Sequence, residues 1–126
     1  MNETKILTLI RNTLGRREDT RMFRNNVGTL RDKDGRYITY GLCNGSSDLI
    51  GWRSIVIGPE HIGKEVAIFT AIEVKTDKGI VTKDQANFLS AVFLAGGISG
   101  VARTIEEAET IIQRSINGVK NGNDKV

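Results

Sequence analysis

The sequence predicts an α/β fold in which helices flank a central mixed β-sheet. Three observations carry that reading. An amphipathic helical stretch stands near the N-terminus, and residues 66–74 (VAIFTAIEV) form an almost continuously apolar, β-branched run. Two capping-box patterns, Thr82 with Gln85 and Thr104 with Glu107, open helices on either side of a further strand. The order helix, several strands, helix, strand, helix shows no internal repeat and no dividing linker, so residues 1–117 read as one domain.

Asn2 is placed to cap the first helix, whose apolar positions Ile6, Leu7, Ile10 and Leu14 recur at helical spacing, with Gly15 as its stop. Residues 16–20 are polar and loop-like, and residues 22–27 read as a short edge strand. Asp34-Gly35 marks a tight turn before a strand of Tyr37, Ile38, Thr39, Tyr40 and Leu42. Turn chemistry follows at 44–47, a strand at 54–57, and a loop opened by Gly58-Pro59 that carries His61 and Lys64. The run 66–74 reads as a strand buried on both faces at the centre of the sheet. The helix opened by Thr82 holds Ala86, Phe88, Leu89, Val92 and Phe93 and closes at Gly96-Gly97. Residues 98–102 return as a strand, and the last helix runs through Ile111, Ile112 and Ile116 to Asn117-Gly118. The segment 118–126 has too little apolar content to pack and is expected to be a flexible tail.

At 126 residues, the chain is long enough to bury one core. Its 39% hydrophobic and 26% charged residues sit near globular averages, which excludes a disordered chain and a membrane protein. No apolar run approaches the roughly 18 residues of a membrane span, and the N-terminus lacks the pattern of a signal peptide, so a cytoplasmic protein with no membrane contact is expected. Cys43 stands alone and reads as a small buried hydrophobe; His61 is likewise single, so no zinc-type Cys/His cluster is possible and any metal must be held by oxygen ligands. The net charge of +3 is unevenly spread, because residues 1–36 hold nine Lys/Arg against five acids. Such a basic segment suits nucleic-acid phosphates, and it also occurs on proteins with no polyanionic partner.

Glu73 and Lys75 lie two apart at the end of the most hydrophobic strand, so they share one sheet face about 7 Å apart along the backbone. A carboxylate beside an apolar core needs a cation or donors to offset its burial, and a lysine on the same face is one such offset. An isolated E-x-K therefore also describes a structural ion pair. Asp48, within the turn-rich GSSDLIG, changes the balance. A tight bend there can deliver the acid beside the central strand, where Asp48 and Glu73 would make a hard, oxygen-only site of the kind Mg²⁺ prefers. Lys75 would then help orient a water and stabilise charge on a phosphate. The competing role for Asp48 is that of an Asx-turn residue.

The succession GSSDLIG, FTAIEVKTDKG and TKDQANFLSAVFLAGG, three separated blocks in order, resembles the virus-type replication-repair nuclease (VRR-NUC) domain, a branch of the PD-(D/E)xK nuclease superfamily, over about residues 3–112. The resemblance implies a restriction-endonuclease-like core. It matches Asp48 to the metal-binding aspartate, Glu73 to the metal-binding glutamate, Lys75 to the catalytic lysine and Gln85 to the glutamine on the following helix. Glu3 is similar to an acid carried on the family's first helix, and RNNVG from Arg24 resembles a block that precedes the active site. Ser47 stands where the superfamily's pattern has proline, a residue that shapes the turn and is not a ligand.

What the resemblance implies functionally is a Mg²⁺-dependent deoxyribonuclease, with Mn²⁺ as the other candidate, cutting branched DNA such as Holliday junctions or flaps. Stand-alone phage-type members are typically homodimers, and a two-fold pair of sites suits a symmetrical junction. The alternative is a non-catalytic DNA-binding or scaffolding domain that keeps the fold.

Several residues have two readings. Gln85 shares the inward helix face of Phe88 and Leu89 and can point into the site, or it can serve as the capping partner of Thr82. Glu3 is either a ligand or an acid favoured in a first helical turn by the helix dipole. Arg24, Lys78 and Lys83 are candidates for DNA phosphate contacts, the two lysines because they bracket the loop after the catalytic strand. His61 has no acidic or nucleophilic partner nearby in sequence and is not assigned as a general base, and Trp52 reads as a core anchor.

Overall fold

The computed structural model describes residues 2–114. In chain order its main elements are α1 (Glu3–Gly15), β1 (Thr20–Arg24), β2 (Gly28–Arg31), β3 (Tyr37–Tyr40), β4 (Leu49–Arg53), β5 (Thr70–Val74), α2 (Lys83–Leu94), β6 (Ile98–Ala102) and α3 (Ile105–Ile112). The architecture is mixed α/β, as the sequence predicts. The described strands make three two-stranded ladders, β1 with β4 and β2 with β3 antiparallel, and β5 with β6 parallel. The chain divides into two compact units, Met1–Arg53 and Ser54–Val126.

In the first unit α1 begins as expected, with the Asn2 side chain accepting from Lys5 N at 2.9 Å and so satisfying one orphan donor of the first turn. Leu7 and Leu14 are half-buried while Ile6 and Ile10 remain exposed. The helix packs on β1, and the Thr20 hydroxyl donates to Leu14 O at 2.7 Å where the chain reverses. The single strand expected at 22–27 is instead the end of β1 and an approach to β2. After Arg24 the backbone N–H of Asn25 donates to Asp48 O and its side chain turns to the 42–47 loop, so the chain leaves one ladder before joining the next.

The Asp34-Gly35 turn forms, fastened by the Asp32 carboxylate, which accepts from Asp34 N and Arg36 N at 2.9 and 2.8 Å. The following strand stops at Tyr40, short of Leu42, because Gly41 adopts a φ of +87° that bends the chain away. Cys43, expected inside, is exposed. It lies in the next turn, where its carbonyl accepts from the Ser46 hydroxyl at 2.6 Å.

In the second unit residues 54–57 form no strand. Ile55, Val56 and Ile57 are exposed, and strand propensity without an edge to pair with makes no ladder. The expected strand 66–74 is shortened to β5, with half-buried central residues and an exposed Val74 rather than burial on both faces. Apolar β-branched residues announce a strand but not the number of its neighbours, and among the described residues of this unit β5 pairs with β6 alone. The β5-α2-β6 crossover is what a parallel pair requires, and α2 and α3 pack on it. Val92 and Ile111, each 1% exposed, and Ala102 are the buried hydrophobics among the described residues. Gly100 lets α3 approach: a Cβ there would meet Ile111 Cδ1 at 2.7 Å.

Both halves of the Thr82–Gln85 capping box form, at 3.1 and 3.0 Å. The second box is half-formed: Thr104 accepts from Glu107 N, but the Glu107 carboxylate reaches back to Arg103 N, one residue before the cap. Helix α3 ends at Ile112 with Gln113 as its C-cap, sooner than expected; Ile116, Asn117, Gly118 and the tail expected at 118–126 lie outside the described residues. Among the described residues no helix is long and apolar enough to cross a membrane.

Candidate active site

The candidate residues fall in both units, and each group is described within its own. In the second unit the alternation of β5 puts Glu73 and Lys75 on one face. Register carries the strand's order past Val74, since Lys75 N donates to Ala102 O at 3.1 Å. Lys75 Nζ lies 3.6 Å from Glu73 Oε2, with the two side chains 18% and 29% exposed. The Gln85 side-chain amide donates to the same oxygen at 3.1 Å. Its carbonyl simultaneously accepts from Thr82 N, so the two readings of Gln85 are both realised by one amide group.

For a partly buried ion pair such as Glu73–Lys75, the cost of desolvating the two charges offsets much of their attraction, so the pair by itself is weak evidence of a stabilising role. The arrangement has more chemical content than that. Both contacts fall on Oε2, and the pair leaves a carboxylate oxygen and an ammonium side by side on one strand face. Lys78, in the turn after β5, and Lys83, the first residue of α2, are exposed.

In the first unit Asp48 immediately precedes β4, and its backbone carbonyl accepts from Asn25 N at 2.8 Å, continuing the β1–β4 register by one pair. The loop before it is shaped by the Asn25 side chain. Its amide nitrogen donates to Ser46 Oγ at 2.7 Å and to Ser47 O at 2.9 Å, and its oxygen accepts from Leu42 N at 3.0 Å. Asp48 is thus fixed in the loop through its backbone, while its exposed carboxylate borders a cavity of about 510 Å³. Glu3, from the first turn of α1, and Arg24, at the end of β1, line the same cavity, with Ser47, Leu7 and Ile10. Arg24 also donates to Asn26 Oδ1 at 3.3 Å.

Sequence reading gave Asn25 no role, although it lies inside the RNNVG block. Its signal is the doubled asparagine, a side chain that can donate and accept at once. His61, expected to lack an acidic partner nearby, has the neighbouring Glu60 Oε1 3.6 Å from its Nδ1, and that nitrogen accepts from Gly58 N at 2.9 Å, so it offers no free base there. Trp52 is half-buried against Phe23, ring centroids 5.7 Å apart.

The donor chemistry suits a hard divalent cation. In the first unit Glu3 and Asp48, and separately in the second unit Glu73, offer carboxylate oxygens, the donor type that Mg²⁺ takes together with water and phosphate. Among the described residues no three His, Cys, Asp or Glu side chains cluster as a complete metal cage.

The VRR-NUC domain matches residues 1–105 of this chain, a span that includes every candidate residue from Glu3 to Gln85. The chain belongs to the VRR-NUC family. VRR-NUC is a nuclease family, and the family generally depends on divalent metal. The mixed α/β arrangement of three helices and small sheets is compatible with a restriction-endonuclease-like VRR-NUC core. No curated protein and no solved structure matches the chain.

Proposed function

We propose that this protein is a Mg²⁺-dependent DNA endonuclease, able to use Mn²⁺, that recognises branched DNA by its structure. The observation that carries the reading is the Glu73–Lys75–Gln85 constellation within a chain of a nuclease family. Asp48 and Glu73 act as metal ligands, with Glu3 as a further carboxylate, and Lys75 is the catalytic ammonium. When bound, a divalent cation supplies Lewis acidity at the phosphate and neutralises its charge.

The chain's own residues do the rest. Gln85 and Lys75 hold one Glu73 oxygen, which orients the carboxylate and leaves its second oxygen to ligate. The Lys75 ammonium stabilises negative charge developing on the phosphate and helps orient the attacking water. Arg24, Lys78 and Lys83 contact phosphates on the flanking DNA. A single nuclease domain over 1–117 is part of this reading, supported by the family match over residues 1–105. A homodimer and a phage-type stand-alone enzyme rest on the sequence resemblance, and the single cysteine suits a cytoplasmic setting.

The test is cleavage of labelled four-way-junction, flap and linear duplex DNA with Mg²⁺, Mn²⁺ or EDTA, beside light scattering for the oligomeric state. Metal-dependent cutting is expected, preferring branched substrates and falling about 10²–10³-fold or more in Lys75→Ala and Asp48→Ala. DNA binding without any cutting by the native chain would establish the non-catalytic reading instead.

A further inference from the structure

Arg103 lies just past β6, at a place that connects it to the lysine of the candidate site. Ala102, its neighbour, pairs with Val74 and accepts from Lys75 N, so Arg103 emerges beside the exit of β5. One guanidinium nitrogen, Nη1, donates to Thr76 O, to Asp77 O at 3.3 Å and to Gly79 O at 2.8 Å. These carbonyls belong to one tight turn, closed by Gly79 N donating to Thr76 O at 3.1 Å. Carbonyl dipoles aimed at one point repel each other unless a strong donor sits among them, and a cation is the strongest such donor.

The turn in its turn bounds the lysine. A Cβ on Gly79 would stand 3.3 Å from Lys75 Cδ and 3.4 Å from Lys75 Cβ, so the turn faces the lysine stem with little room for a side chain between them. Arg103 is itself anchored, because its backbone N donates to Glu107 Oε1 at 2.7 Å and Glu107 N donates to Thr104 Oγ1 at 3.1 Å. A continuous path therefore runs from the start of α3 through Arg103 and the 76–79 turn to the stem of Lys75.

We infer that Arg103 is a positioning residue for the Lys75 ammonium, acting by pinning the Thr76–Gly79 turn against the lysine stem. The inference rests on the reading of Lys75 as the catalytic ammonium. A lysine side chain with free rotamers spends little time beside Glu73, and a fixed wall along its stem removes those alternatives.

Arg103→Gln, Arg103→Lys and Gly79→Ala separate the possibilities. Single-turnover cleavage by Arg103→Gln is expected to slow about 10- to 100-fold, with DNA affinity measured in Ca²⁺ unchanged, and Arg103→Lys should recover part of the rate. Gly79→Ala keeps the arginine but crowds the lysine stem, and a smaller loss is expected. In the DNA-free protein, Arg103→Gln should speed hydrogen exchange at the amides of 76–79 and shift the Lys75 ammonium resonance. If that resonance and those amides are unchanged, the inference is overturned whatever happens to the rate. It is equally overturned if Arg103→Gln weakens DNA binding and lowers the salt slope by about one with the turn intact, since Arg103 would then be a phosphate contact. Absence of cleavage by the native chain would sink the proposed function alone, because the exchange and resonance measurements still decide the role of Arg103.

Discussion

Glu73 and Lys75 owe their proximity to a strand, whereas Asp48 owes its place to a loop. On β5 the pleat brings residues two apart to one face, and the β6 ladder fixes the strand by main-chain bonds that any side chain could accompany. At Asp48 the backbone is set by Asn25, a residue 22 positions from its Ser47 partner and 17 from Leu42. The difference is one of redundancy. The strand's geometry is repeated along its ladder, and the loop's geometry hangs largely on one side chain that both donates and accepts.

Breaking that side chain should therefore have the largest effect. Asn25→Ala removes the donors to Ser46 Oγ and Ser47 O and leaves Leu42 N without its acceptor. Losses of about 10- to 100-fold in metal affinity or cleavage are expected, the range typical of residues that orient a ligand. The unpaired groups should cost about 1–3 kcal/mol of stability. Mn²⁺ titration by calorimetry and chemical denaturation would measure the two separately. Asn25→Asp keeps the acceptor for Leu42 N but not the two donations, so it should retain more stability than activity. A loop indifferent to both changes would erase the contrast with the strand.

The same contrast explains what could be read in the sequence. Asn2, Thr82 with Gln85, and Asp34-Gly35 were legible because a cap or tight turn is made by residues within a few positions of one another. The E-x-K pair was legible for the same reason, its spacing being the strand period itself. Asn25 and Arg103 were not, since their partners lie far away in sequence and no local pattern marks them. The apolar segment 54–57 misled because propensity describes what a residue tolerates, while a strand also needs an edge to join. Cys43 misled for a related reason: its small apolar side chain suits a core, but the Ser46 turn holds it outside.

Gln85 allows a sharper test, because it performs a local and a distant task with one amide. Gln85→Ala loses the acceptor for Thr82 N and the donor to Glu73 Oε2 together. A loss of about 1 kcal/mol in stability is expected from the damaged cap, with cleavage reduced about tenfold through the freed Glu73 carboxylate. Gln85→Glu keeps an acceptor for the cap and abolishes the donation to Glu73. The new carboxylate also faces that of Glu73, so the Glu variant should keep the cap yet melt below the native protein, while cleavage stays low in both. Recovery of activity along with stability would mean that Gln85 matters only as a cap.

The smallest effect is expected at Asp19, a charged fastening in the same unit as the Asp48 loop. Arg17 Nε and Nη2 donate to its two oxygens at 2.8 and 2.7 Å, and Arg53 Nε lies 3.4 Å away. The hydrogen bonds from Arg17, followed by that guanidinium's charge, hold the carboxyl well below the usual range, at about 2. A carboxyl depressed in the folded state stabilises it fully above the ordinary aspartate range and ceases to do so as pH falls through the folded value. The dependence should accordingly lie between about pH 4 and pH 2, and Asp19→Asn should flatten the fall of Tm across that window. Exposure and screening keep the change small, and raising the salt should shrink the difference between the two proteins. Cleavage at neutral pH should be the same in both, because Asp19 fastens the α1–β1 connection and the end of β4, not the loop that presents Asp48. A loss of cleavage comparable with that of Asn25→Ala would show that the whole first unit, rather than one side chain in it, sets the position of the aspartate.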